Sequence, residues 1–512
     1  MPFAYYLEMP VEFPEGVHFG AGKDFNSLVI AQDGSGLPVL NGTCLAGVMR
    51  TLWRDYLVGR DFGFSGKTPR EISKFRQESS ITENVSLLFG KEQEKLKQEE
   101  ETGVPIPLAE KESRVKVSNY ELELGKHDPG ERTHHHRNRH RGTVLEHGLF
   151  SLEACPPGTR TNVGFWVFDN GDTTTADIET FLGVIVAAFQ QGISIGGNSN
   201  RGIGRAVTNV AHVKQRMFDL TVLDQQADQL DAHRNWRAGL PIDRLEAFNP
   251  NNLKPNQRKR LHVDVTLVIP RGQDILVGDG QAQDVQIEPQ RVQATNGQYY
   301  WRIPGSSVRG LFRRWFHRLA VRDDFKVRDA ADLYEIRMQA HEYDGDKLGW
   351  CFVDRENEDS LNSFEADDWP IVSLFGSCFN PGRITITDSL ARCSRHDERM
   401  ENCSECQRRV HVAVDRVTGG AAEGMLFDNR VVTAYADGSS PEFTFTITID
   451  NPKQHEARWL GQTLVALDIG LLRMGSSKSA GRLSIKPGSL NADGEFKEEF
   501  LKQINGVTIH ER

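Results

Sequence analysis

Residues 302–320 read RIPGSSVRGLFRRWFHRLA, and residues 38–57 read PVLNGTCLAGVMRTLWRDYL. In both, a turn with a glycine and a small hydroxyl residue runs into apolar residues at helical spacing, interrupted by arginines. Gly42 and Gly47 stand where Gly305 and Gly310 stand, and both differences are 263 (305 − 42 and 310 − 47). A shared offset predicts an internal duplication, and later landmarks should then recur at similar offsets. They do: SLLFG (86–90) meets SLFG (373–376), and RGTVLEHGLF (141–150) meets TGGAAEGMLF (418–427). The closing pairs Gly204-Arg205 and Gly481-Arg482 also match, at the same offset of 277 that relates Gly142 to Gly419.

A chain of 512 residues exceeds one ordinary core, which agrees with two domains. The duplication places them at 1–214 and 261–512, with a polar connector, 215–260, that holds EAFNPNNLKPNQRKR. No long apolar run and no leader-like N-terminus occur, so the expected place is the cytoplasm, with no membrane partner. Net charge is −10, which disfavours indiscriminate coating of nucleic acid but leaves room for a local basic groove. The charge run KEQEKLKQEEETGVPIPLAEKES (91–113) reads as a solvated insertion. LHVDVTLVI (261–269) and EFTFTITID (442–450) alternate as half-buried strands do. Late in each copy an apolar helix, TFLGVIVAAFQQG (180–192) or WLGQTLVALDIGLL (459–472), feeds a glycine-rich loop, so each copy is α+β.

Gly305, Ser306 and Ser307 precede a helix, and Arg309, Arg313 and Arg314 follow on its first turns. Free N–H groups, hydroxyls and guanidinium groups together suit phosphate. Gly42, Thr43, Arg50 and Arg54 repeat the arrangement. The loops GGNSNRGIGRA (196–206) and GSSKSAGRL (475–483) add Arg201, Arg205, Lys478 and Arg482 beside residues that let a phosphate chain approach closely. Neither loop has the lysine-hydroxyl ending of a nucleotide-binding P-loop or the spacing of a dinucleotide fingerprint, which excludes those readings. Cys393, His396, Cys403 and Cys406 form two short-spaced pairs, as in a closed structural Zn²⁺ site. RTHHHRNRHRG (132–142) is either an acid-base cluster or a mobile basic loop that touches phosphate.

Taken in order, GVHFGAG (16–22) and ILVGDG (275–280), the two turn-helix stretches, the LFG pair, VAVDRVTGGAAEGMLF (412–427) and the glycine-rich loops resemble the RAMP-superfamily backbone subunits of type III CRISPR effector complexes. The likeness covers nearly the whole chain twice, as in a fused, type III-D-like double subunit. It implies two modified RNA-recognition-motif (ferredoxin-like) domains, each with a thumb hairpin, here HRNRHRGTVLEHG and VAVDRVTGGAAEG. It also implies a crRNA gripped along its backbone, other CRISPR effector subunits as neighbours, and Mg²⁺- or other divalent-dependent cleavage of complementary target RNA. The family's cleavage aspartate falls on Asp284 in copy two, with Asp279 second. One carboxylate there would hold a divalent ion or orient the ribose 2′-hydroxyl. In copy one Asn26 stands at the matching place, and an amide is no base, so that site either relies on Asp24 or Asp33 or is inactive. The alternatives are a non-catalytic scaffold of the same assembly and a standalone crRNA-processing RNase that uses the histidine cluster.

Overall fold

The computed structural model describes residues 3–24, 27–64, 67, 69–90, 112–137, 144–169, 171, 173–255, 258–278, 285, 287–325, 370–376, 382–394, 403–415, 417–435, 437–475 and 481–505. In copy one, β1 (Phe3–Phe13) pairs antiparallel with β5 (Thr159–Phe168), which takes β2 (Val115–Lys116) on its far edge. Between them in sequence lies a hairpin of β3 (Gly130–Arg137) and β4 (Val144–Ala154), and β6 (Lys214–Asp219) closes the other edge of β1. In copy two, β7 (Arg260–Val268) pairs with β12 (Glu442–Asp450), and β8 (Ile384–Ile386) and β9 (Ser389–Arg392) both lie against β12. The second hairpin is β10 (Cys406–Val414) with β11 (Ala421–Thr433), and β13 (Asn491–Gly494) borders β7.

The registers of the two sheets coincide. Lys116 opposes Trp166 where Thr385 opposes Thr448, and Glu8 opposes Lys214 where Asp264 opposes Asn491. In the hairpins Arg132 opposes Leu152 where Arg409 opposes Asn429, each 277 residues on. Both are open antiparallel sheets, each with α1 and α4 or α6 and α8 (ranges below) on one face, as expected for ferredoxin-like domains.

The helices are α1 (Gly42–Asp61), α2 (Pro69–Gln77), α3 (Ser79–Phe89), α4 (Thr175–Gln191), α5 (Leu223–Arg237), α6 (Gly305–Arg322), α7 (Pro370–Phe375), α8 (Gln454–Asp468) and α9 (Lys497–Asn505). Apolar spacing explains which sides they bury: Leu45, Met49, Trp53 and Leu57 of α1, and Val308, Phe312, Phe316 and Leu319 of α6, face their own sheets. α4 begins with a capping box in which Thr174 Oγ1 accepts from Asp177 N at 3.1 Å. α8 stops at Asp468 because Gly470, at φ +81°, turns the chain out of the helix.

The stretch expected to be a connector holds real structure. β6 reaches into it and pairs with β1, and α5 packs Ala232 and Trp236 on Tyr6, Trp166 and Phe218. The expected RTHHHR loop is likewise a strand, since its residues fall within β3. Almost all of the charge run 91–113 lies outside the described residues.

Candidate nucleic-acid interface and metal centre

Both arginine-bearing helices form where the sequence places them, and both begin at the matched glycine. The first N–H of each is not open to a ligand, which corrects part of the phosphate reading. Gly42 N donates to Asn119 Oδ1 at 2.9 Å, and Gly305 N donates to Asp388 Oδ1 at 2.8 Å. The glycines are there for backbone approach: a Cβ would lie 2.5 Å from Ser118 O at Gly42 and 2.3 Å from Ile386 O at Gly305. The strand register makes the two acceptors counterparts, because Lys116 and Thr385 hold matching places and VSNY (117–120) then lies on ITDS (386–389), 269 residues on. Nothing in the chain's composition marks them as helix caps.

The hydroxyl residues remain reachable. Thr43 and Ser307 are exposed and Ser306 is half-buried, beside the half-buried Arg50, Arg54 and Arg313 and the exposed Arg314. Arg309 is turned inward, donating to Phe375 O at 2.6 Å with its guanidinium 5.7 Å from the Phe375 ring centre. Arg205 is similarly committed: its Nη2 donates to Glu15 Oε1 at 2.8 Å. Glu15 is buried, and that burial raises its pKa even though Arg205 pulls the other way. The Arg201 guanidinium lies over Phe150, 4.3 Å from the ring centre, with Nε donating to Asn198 Oδ1 at 3.0 Å. Burial, and secondarily Arg132, lower its pKa. Arg482 is exposed, and Lys478 lies outside the described residues.

The hairpins repeat one further pair. His134 stacks on Phe150 at 5.5 Å and His411 on Phe427 at 5.3 Å, again 277 residues apart. Buried His134 is thus part of the packing of the hairpin base. At the tip of the second hairpin Asp415 Oδ1 accepts from Val417 N at 2.7 Å and Thr418 N at 2.9 Å, and these bonds lower its pKa.

Of the candidate cleavage carboxylates, Asp33 is half-buried and organises a turn: its Oδ1 accepts from Ser35 N at 2.9 Å, Ser35 Oγ at 2.8 Å and Leu37 N at 2.8 Å. Those bonds hold its pKa below the usual carboxylate value. Asp24 ends the strand Gly20–Asp24 opposite Ser27. Asp284, Asp279 and Asn26 lie outside the described residues.

Two of the four expected metal ligands meet. Cys393 Sγ and Cys403 Sγ are 3.7 Å apart, and two thiolates on a tetrahedral metal with bonds of about 2.3 Å would be about 3.8 Å apart. Both are buried, and Glu405 offers a carboxylate oxygen within 4.8 Å of each sulfur. Reasoning from sequence missed Glu405, because a Glu between two cysteines is ordinary in a polar loop. Its Oε1 accepts from Trp301 Nε1 at 3.0 Å and from Ser394 N at 2.7 Å. Burial raises its pKa, but the bonds from Ser394 and Trp301 outweigh that and leave it lowered. Burial pushes the Cys406 thiol up to about 12, while the Cys403 thiol is raised by its bond to Cys393 and then by burial. His396 lies outside the described residues. The donor set fits a soft divalent ion, which would have to displace protons from thiols that are neutral without it.

Among the described residues no helix is long and apolar enough to cross a membrane. No curated protein matches the chain. The pattern of the RAMP superfamily matches it over residues 12–207 and again over 274–483, the two copies that registers and offsets define, and the chain therefore belongs to the RAMP superfamily.

Proposed function

We propose that the chain is a double backbone subunit of a type III CRISPR ribonucleoprotein that grips crRNA through both copies and cuts paired target RNA at an aspartate site in copy two. Membership in the RAMP superfamily supports a CRISPR-associated RNA-binding subunit. The observation that carries the finer reading is the recurrence, in both copies, of an arginine-bearing helix and of a β-hairpin with matching register. Two such units in one chain offer successive stretches of a phosphate backbone the same contacts. Thr43, Ser306 and Ser307 would contact phosphate oxygens, with Arg50, Arg54, Arg313, Arg314, Arg482 and Lys478 supplying charge.

Asp284 is the residue proposed to hold Mg²⁺ or another divalent ion, which would polarise the scissile phosphate. Zn²⁺ is proposed on Cys393, Cys403, Cys406 and His396, with Glu405 either an anchor for the loop or the fourth ligand in place of Cys406. Such a site pins the base of the second hairpin and does no chemistry, because all its positions are filled. Other CRISPR subunits complete the particle, whose expected place is the cytoplasm.

A scaffold reading is favoured for copy one by the geometry of Asp33, whose Oδ1 accepts three hydrogen bonds from its own turn. The test is cleavage of labelled target RNA by the guide-loaded particle with Mg²⁺ and then with EDTA. Asp284→Ala should remove a product band while RNA binding persists, and Asp33→Ala should leave every band. Full cleavage by Asp284→Ala overturns the enzymatic reading and leaves the scaffold.

A further inference from the structure

The two copies part company after their matched edge strands. From β13 the chain enters α9, which packs on α8 and places Phe500 and Ile504 in the core. From β6 it enters α5, which goes to the opposite face of its sheet. There Trp236 Nε1 donates to Gly164 O at 2.7 Å, the His233 ring stands 5.7 Å from Trp166, and Trp166 is wholly buried.

The register identifies what α5 covers. Tyr6, Gly164 and Trp166 correspond to His262, Thr446 and Thr448, since Lys116–Trp166 and Thr385–Thr448 are the same pair in each sheet. In copy two that polar face is covered by copy one: Thr446 and Thr448 share a cavity of about 430 Å³ with Val48 and Thr51 of α1. The outer face of one RAMP sheet is therefore where the preceding copy docks, and in copy one the connector helix already occupies it.

We propose that α5 is an end cap, so that the chain stacks in one direction only: copy one accepts no further domain, and copy two docks on the sheet of a RAMP-type domain from a different chain. Copy two's docking side is exposed and can be identified by comparison. Gly192 lines the junction cavity with Arg205 against it, and its counterpart Gly470 has Arg482 against it. Ile469 and Leu471, on either side of Gly470, are 51% and 65% exposed. Arg132, buried at the internal junction against Asp388, corresponds to Arg409, which is 47% exposed and only 3.5 Å from Asp274. An exposed apolar pair and an arginine, at the places whose counterparts in copy one meet copy two, fit a sheet face that carries a carboxylate at the start of its helix, as copy two carries Asp388. A second copy of this chain is the wrong partner on two counts: it offers Asn119 at that place, and its sheet face is capped.

The inference rests on the proposed function only in taking the neighbour to be a RAMP domain. The test places a photoreactive benzoylphenylalanine at His233 or at Leu471 in the intact ribonucleoprotein and in the free chain, and maps cross-linked peptides by mass spectrometry. Expected are links from position 233 to β1 or β5 of its own chain in both samples, and links from position 471 to the sheet of another RAMP chain in the particle. Arg409→Glu should lower recovery of that neighbour at least tenfold without changing the free chain's melting temperature. Links from 233 to another chain, from 471 to a second copy of this chain, or undiminished recovery with Arg409→Glu would each overturn the proposal. A particle that binds RNA but cleaves nothing leaves these links unchanged, so the two readings fail separately.

Discussion

Asp388 joins the two copies at one point: Oδ2 accepts from Arg132 Nη2 of copy one's hairpin at 2.6 Å, and Oδ1 accepts from Gly305 N at the start of α6 at 2.8 Å. Both side chains of the ion pair are nearly sealed from solvent, at 5% and 1% exposure. One carboxylate thus caps a helix in its own copy and neutralises a buried charge from the other. Asn119, its counterpart in copy one, performs only the first task.

Asp388→Ala should be among the most destabilising single changes in the chain, because it strands a buried guanidinium and an N–H together. The expected loss is about 3–5 kcal/mol, read by denaturant unfolding. Asp388→Asn keeps the helix cap and loses only the charge, so it should fall between wild type and alanine. In an Arg132→Met background the loss from Asp388→Asn should shrink by more than half, since no buried charge remains to be stranded. Equal losses in both backgrounds would show that the pair is not coupled.

Gly202 is the second contact at this junction. A Cβ there would lie 2.1 Å from Asp388 Oδ1 and 2.9 Å from Gly305 N, and the residue has φ +96°. Gly202→Ala should cost about 1–3 kcal/mol from backbone strain alone, and more if the copies must separate. Gly310→Ala is the contrasting change: that helical glycine has open space around its Cβ position, so the variant should gain about 0.5–1 kcal/mol. Thermal melts of the two variants should move in opposite directions.

Metal content tests the cysteine cluster directly. The purified chain should carry zinc by elemental analysis; Cys403→Ser should abolish it, and Cys44→Ser should leave it unchanged. Because the thiols are protonated without metal, zinc retention should fail as pH drops, proton competing with metal for the same sulfurs.

The arginines divide into two groups by what they touch. Arg314→Ala should weaken RNA binding and reduce the slope of log K against log salt by about 1, as expected for loss of a phosphate contact. Arg309→Ala should instead lower stability by about 1.5–3 kcal/mol through the lost bond to Phe375 O, with the salt slope unchanged. A steep loss of slope for Arg309→Ala would show that its side chain turns outward on RNA.

Two copies, an α+β fold in each, and the places of helices α1 and α6 were legible in the sequence. Those are local or periodic properties, carried by glycine spacing, apolar period and repetition along one chain. The sequence also named both cysteines that meet, although Cys393 and Cys403 come from different short-spaced pairs and it is the fold that brings them together. The tertiary structure alone decided which arginines face inward, since Arg205 and Glu15 are 190 residues apart and Arg309 meets a carbonyl 66 residues away. It alone showed that Asp388 and Asn119 fill the helix starts left open in the sequence reading, and that a polar connector folds over Trp166. Burial and partner choice depend on which surfaces the fold brings together, and local sequence carries no record of a partner that lies hundreds of residues away.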